Sequence, residues 1–149
     1  STTTTTLPPL VNGGFETGNL NGWTTGGNAN WAVQTATVRS GTYAAKAGAI
    51  LENQKTWIDQ DITISSSKTL NFYWKVSSES AFDFLVFCLD KDSTCSRTTY
   101  DLRISGEVNW QLKTFALTTG THSLRWMYAK DDTVSSGSDT GWLDDVSIS

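Results

Sequence analysis

Histidine occurs once in the 149 residues, at His122, and cysteine twice, at Cys88 and Cys95. Nucleophilic catalysis needs a base beside its nucleophile. A lone histidine at the start of a strand-like run with Leu124 and Trp126 does not offer one. No GxSxG elbow is present, nor a phosphate loop or dinucleotide fingerprint. Paired carboxylates could hydrolyse glycosides. Asp59, Asp61, Glu79, Asp83, Asp90, Asp101 and Glu107, however, stand isolated along the chain. The expectation is a chain that is not an enzyme. Charge is sparse, with 17% charged residues and a net −4, so this is no disordered acidic tail. No Lys/Arg stripe is visible, which excludes nucleic acid as a partner. No run of 18 apolar residues would form a spanning helix, so no membrane partner is expected. No window of 12 or more residues keeps a helical period.

What is present is alternation. Short apolar runs are separated by Gly, Ser, Asn and Asp clusters, with strands expected at 31–38, 43–47, 56–64, 68–76, 82–89, 98–104, 111–117, 122–128 and 141–148. Turn signals every 8 to 12 residues point to an all-β, two-sheet antiparallel sandwich of the jelly-roll kind. Leu70, Phe72, Trp74 and Val76 share one face, and His122, Leu124, Trp126 and Tyr128 share another. Both are natural core faces. In 84–89 both faces are apolar, as in a strand buried on both sides or the floor of a groove.

Residues 1–9 read STTTTTLPP, an extended linker of the kind that joins modules in secreted proteins, and 10–149 form one domain. Cys88 and Cys95 flank a polar turn between two strand-like runs. A disulfide across that hairpin fits, and two free core thiols are the alternative. A bridge would imply an oxidising, extracellular setting and contribute about 2–3 kcal/mol.

Two stretches carry a likeness. LVNGGFETGNLNGW at 10–23 resembles the opening, and WLDDVSI at 142–148 the last strand, of carbohydrate-binding modules of the family 4, 9, 16 and 22 type. Together with LNFYWKVSSES and the rest of 104–148, the resemblance spans about half the chain. It implies a jelly roll with first and last strands side by side and a structural Ca²⁺ beside them. By position, the matching ligands are the Gly14 carbonyl, the Glu16 carboxylate, backbone oxygens from Ser40 to Tyr43, and Asp144 or Asp145. Asp144 is in phase with Val146 and Ile148, which favours it; Asp145 stays open. Calcium takes six to eight oxygens, which this set can supply. A second acidic loop, with Asp131, Asp132 and Asp139, does not match an EF-hand and reads as a turn.

The resemblance also implies a non-catalytic module that anchors a secreted enzyme to a polysaccharide or oligosaccharide. The parent protein would carry a covalently linked catalytic or surface domain, and the module itself would be a monomer. The alternative is an adhesion or protein-interaction module with no glycan ligand. Sugar rings have an apolar C–H face and a polar rim, so their sites pair an aromatic plane with amides and charges. Of seven tryptophans, Trp74 and Trp126 fall on core faces, and Trp23, Trp110 and Trp142 on framework positions. Trp31 and Trp57 remain as platforms, Trp57 amid Glu52, Asn53, Gln54, Gln60 and Asp61. Tyr73, Lys75, Phe84, Val86, Arg125 and Met127 would join them on one non-core face if their strands are neighbours. Another domain or a long loop covering that face is the bland alternative.

Overall fold

In a computed structural model, residues 9–133 and 136–149 are described. The expected linker, 1–9, lies outside them except for Pro9. Ten strands form: β1 (Thr24–Gly27), β2 (Ala32–Gln34), β3 (Ala44–Lys46), β4 (Lys55–Ile64), β5 (Lys68–Ser77), β6 (Phe84–Leu89), β7 (Leu102–Ser105), β8 (Glu107–Leu117), β9 (Gly120–Ala129) and β10 (Thr140–Ile148). They build two antiparallel five-stranded sheets, β1-β4-β9-β6-β7 and β2-β3-β10-β5-β8. The expected sandwich is present. The strand missed by sequence is β1, whose TTGG reads as a turn. Its pairing to β4 is what makes it a strand.

Alternation decides what the sheets enclose. Leu70, Phe72, Trp74 and Val76 from β5 meet Leu124, Trp126 and Tyr128 from β9, all fully buried. Phe72, Phe87, Trp126 and Trp23 interlock with ring centroids 5.0–5.7 Å apart in tilted and edge-to-face pairs. β6 is buried on both faces: Leu85 and Phe87 face this core, and Phe84, Val86 and Cys88 face a second, smaller cluster outside the sheet.

The opening 10–23 is not a strand. Asn12 ties it into a loop by donating to the Asn19 and Asn21 carbonyls, and Trp23 Nε1 donates to the Asn12 carbonyl at 2.9 Å. It still lies beside the last strand, because Val146 N donates to the Gly13 carbonyl at 2.9 Å. A Cβ at Gly13 would collide with the Val146 carbonyl, so glycine is required. Ser149 and Thr69 exchange backbone bonds at 2.8 and 3.0 Å, while Pro9 and Leu10 sit beside Thr63, Ile64 and Lys68. The first and last described residues thus emerge at the same end of the sandwich.

Candidate functional site

The outer face of the β1-β4-β9-β6-β7 sheet carries three cross-strand rows. Lys55, Ala129, Phe84 and Ser105 form one, Trp57, Met127, Val86 and Arg103 the next, and Asp59, Arg125 and Cys88 the third. The expected company of Trp57, Phe84, Val86, Arg125 and Met127 is real. Most of it is covered. The β6–β7 connection, 90–101, folds back over the sheet and is pinned by the Cys88–Cys95 disulfide, Cα–Cα 6.0 Å. The bridge tethers this loop to β6 and does not cross to β7. Arg125 Nη1 donates to the Asp92 carbonyl at 2.7 Å, Arg97 Nη1 to the Phe82 carbonyl at 3.1 Å, and Arg103 lies 4.0 Å over the Phe84 ring. Met127 and Val86 are fully buried and Phe84 is 7% exposed, so they are core beneath a loop and no sugar can reach them. The apolar face is the binding surface of the protein's own chain.

Two further platform residues move. Trp31 is 2% exposed and packs in the main core just ahead of β2, with its backbone N–H donated to Thr25 Oγ1 at 2.8 Å. Tyr73 and Lys75 belong to β5, in the other sheet, and cannot join Trp57. There Lys75 and Lys46 flank the Trp142 ring at 5.6 and 5.8 Å, and Arg39 stacks 3.8 Å over Tyr73. Trp142 itself is 5% exposed.

Trp57 stays at the rim, half-buried. Its indole lies against Gly26 and Gly27 of β1, where a Cβ would come within 2.8 Å of Nε1 and 3.0 Å of Cζ3 respectively. Arg125 stacks 4.3 Å from the ring and is itself held by a two-pronged ion pair to Asp59, both contacts 2.8 Å. Burial works against the Arg125 charge, but the Asp59 fork outweighs it and raises its pKa. Lys55 Nζ sits 5.9 Å from the same ring. Beside this ledge a cleft of about 190 Å³ opens between Ser96, Arg97 and Thr98 of the disulfide loop and Asn53, Gln54, Lys55, Ala129 and Lys130. Sequence reasoning missed Gly26, Gly27, Asp59 and Arg97 in this role. A larger cleft, about 700 Å³, lies at the opposite end where the chain enters. Its lining of Leu10, Ile64, Val146 and Ile148 among others holds no aromatic plane, so it lacks what a sugar needs.

The residues that the resemblance assigns to calcium meet at a clasp. Glu16 accepts the Thr42 and Tyr43 N–H groups at 2.8 and 2.9 Å. Asp144, fully buried, accepts Arg39 N at 3.0 Å and Ser40 N at 3.3 Å. Asp145 accepts Ser40 Oγ at 2.6 Å and pairs with Arg39 at 3.3 Å. A bulge between Asp144 and Ser147, with Asp145 at φ 49°, breaks the expected phase. Asp144 therefore lies on the outer side with Trp142, under the 39–43 loop, while Val146 returns to the core. Burial raises the Asp144 carboxyl to about 6, partly offset by those N–H bonds. Among the described residues neither Glu16 nor Asp144 pairs with a Lys or Arg. An oxygen-only donor set whose two carboxylates accept backbone N–H bonds but meet no Lys or Arg fits a hard cation in its chemistry.

No protein-family model matches the sequence, and the search of curated proteins found no match. Solved structures are similar in fold. A family 61 carbohydrate-binding module in complex with β-1,4-galactotriose superposes with a TM-score of 0.66 at 16% identity, covering 95% of this chain and 97% of its own. The family 22 xylan-binding domain of Xyn10C from Paenibacillus barcinonensis gives 0.62 at 18%, covering 91% and 89%. The K3 cleaved adhesin domain of Lys-gingipain from Porphyromonas gingivalis gives 0.63 at 14%, covering 94% and 98%. Along nearly its whole length, this chain shares the β-sandwich fold of these carbohydrate-binding modules and of the adhesin domain.

Proposed function

We propose that the chain is a non-catalytic glycan-binding module whose site is the Trp57 ledge and the cleft beside it. The observation that carries this is an indole braced by glycine backbone and by the Arg125–Asp59 pair, next to a cleft walled by Asn53, Gln54, Lys55 and Arg97. The ring offers a flat apolar partner for C–H bonds, and the amides and cations match hydroxyls. The cleft is smaller than the ~300 Å³ of ordinary small-molecule sites, which suits one ring of an oligosaccharide or polysaccharide rather than a long buried stretch. Titration against a panel of galactans, xylans and their oligomers tests it. Binding that Trp57→Ala weakens about tenfold or more supports the site. Binding indifferent to that change removes Trp57 from it. We further infer a secreted module that anchors an attached catalytic or surface domain to its glycan. The disulfide supports the extracellular setting.

The adhesion reading is supported by the fold likeness to the cleaved adhesin domain and by the exposure of Leu51 (68%), Phe82 (52%) and Leu112 (49%). Failure of every glycan to bind at millimolar concentration favours it. Calcium at the clasp is part of the same proposal, with the Gly14 carbonyl, Glu16, Ser40, and Asp144 or Asp145 as its holders. It would neutralise the buried Asp144 and the exposed Glu16 and fix the 39–43 loop. A melting temperature unmoved by chelator in both the wild type and Asp144→Asn would dismiss it.

A further inference from the structure

Glu79 and Asp83 stand far from Asp131 in the chain, yet the fold joins them. The first two lie in the β5–β6 connection, and Asp131 follows β9. One carboxylate oxygen from each lies within 4.8 Å of the others. The backbone imposes the meeting. Ser78 Oγ donates to the Asp83 carbonyl at 2.8 Å and accepts Gly106 N at 3.0 Å. Asp83 N donates to the Glu79 carbonyl at 3.1 Å, through a turn with Ala81 at φ 69°. Asp131 N donates to Asp83 Oδ1 at 3.0 Å.

A second observation points to a ligand. Asp83 is fully buried, and its Oδ2 meets no donor; neither does Glu79 Oε1, which is also enclosed by protein. Buried polar atoms without partners are rare in native proteins, and an ion is one of the few things that satisfies them. The nearest cation along the chain, Lys130, bonds Asp139, and its charge acts on Glu79 and Asp83 through space without a bond to the orphaned oxygens.

We propose that Glu79, Asp83 and Asp131 bind a hard divalent cation of the calcium class. Three carboxylates with no nitrogen or sulfur among them select against zinc and copper. Their placement on connecting segments suits the adaptable shell of calcium better than the strict octahedron of magnesium. The ion would lock the 79–83 turn to the segment after β9. Because Asn53 N donates to the Asp131 carbonyl at 2.8 Å, it would also fix the turn that walls the cleft beside Trp57. The site is separate from the clasp at Glu16 and Asp144 and does not depend on glycan binding.

Calorimetric titration of the metal-stripped chain with calcium chloride at pH 7.5 tests it. Glu79→Gln and Asp83→Asn should each remove one calcium per chain or weaken that site about tenfold or more. Asp144→Asn should leave this site in place. Near-UV circular dichroism checks that each variant is folded; Glu79, half-buried, serves if Asp83→Asn is not. Calcium should raise the melting temperature of the Asp144→Asn chain and fail to raise that of the Asp144→Asn, Glu79→Gln chain. If Glu79→Gln binds calcium with the wild-type number of sites and affinity, the proposal is wrong. If Asp144→Asn binds no calcium at all, it is wrong as well, and the three acids are carboxyls sharing protons.

Discussion

Trp57 reaches the outer face as a flat ledge because two residues beside it have no side chains. Gly26 leaves room for the indole edge, and Gly27, at φ 94°, passes close under the ring and the Lys55 carbonyl. Gly26→Val should push the indole off its seat and weaken glycan binding as much as Trp57→Ala, with melting lowered only slightly. Ligand titration followed by tryptophan fluorescence reads both. Sequence could single out Trp57 by its amide-rich neighbours, but it could not separate it from Trp31. Both follow polar runs, and only the sheet pairing shows that one turns outward and the other fills the core. His122 makes a second residue-scale case. Its Nδ1 lies 2.7 Å from Asp90 Oδ2 and its Nε2 2.7 Å from the Thr118 carbonyl, so both nitrogens face acceptors, an arrangement that favours the protonated ring. The Asp90 bond raises its pKa above the ordinary 6.5, against the effect of burial. The folded state therefore holds this proton more tightly than the unfolded one. The contribution is full below pH 6.5 and is lost as pH rises through the folded value. The Asp90 partner works in the other direction. Burial opposes its charge, yet His122 and the Ser123 amide outweigh that and lower it, so its share is present above its ordinary 3.8 and lost as pH falls through the folded value. Melting temperature against pH should decline above about pH 6.5 in the wild type. In His122→Gln that decline should flatten; an unchanged profile would show that the pair does not contribute.

The 90–101 loop matters at the scale of the element. Alternation made β6 apolar on both sides, and sequence could state the two causes of such a strand without choosing. The choice depends on a loop whose polar residues, Asp92, Arg97 and Asp101, bear no mark of where they fold. Asp101 accepts Leu89 N at 2.7 Å and pairs with Lys91 at 2.9 Å, and Arg125 holds the Asp92 carbonyl. Replacing both Cys88 and Cys95 with Ser should cost about 2–3 kcal/mol in denaturant unfolding, for a loop this short. It should also loosen the cover over Val86 and Met127, read as faster amide exchange in 90–101 and increased binding of a hydrophobic dye. A rigid loop in the double variant would mean that the polar bonds alone suffice.

For the whole molecule, the sandwich was legible because burial on one face leaves a period of two along a strand, which β4 and β5 keep over nearly all of their length and β9 as far as Trp126, where the covering loop buries both faces. What belongs to neither strand nor period was not legible. The three acids Glu79, Asp83 and Asp131 come from separate connections, and the bulge at Asp145 shifts the phase that alternation would assign. Trp126 sits where both sheets meet Phe72, Phe87 and Trp23. Trp126→Ala should cost about 3–5 kcal/mol in global stability, measured by denaturant melts.

The placement of the first and last described residues has a mechanical consequence. Pro9 and Ser149 lie near Ile64 and Thr69, whereas the cleft lies beyond Lys55, at the other end of β4. Ten residues of extended strand separate them, about 30 Å. On the proposed reading, a cargo joined beyond Pro9 or Ser149 would hang behind the module as from a handle, with the cleft pointing the other way. Such a tip can press against a flat polymer surface while its load stays out of the way.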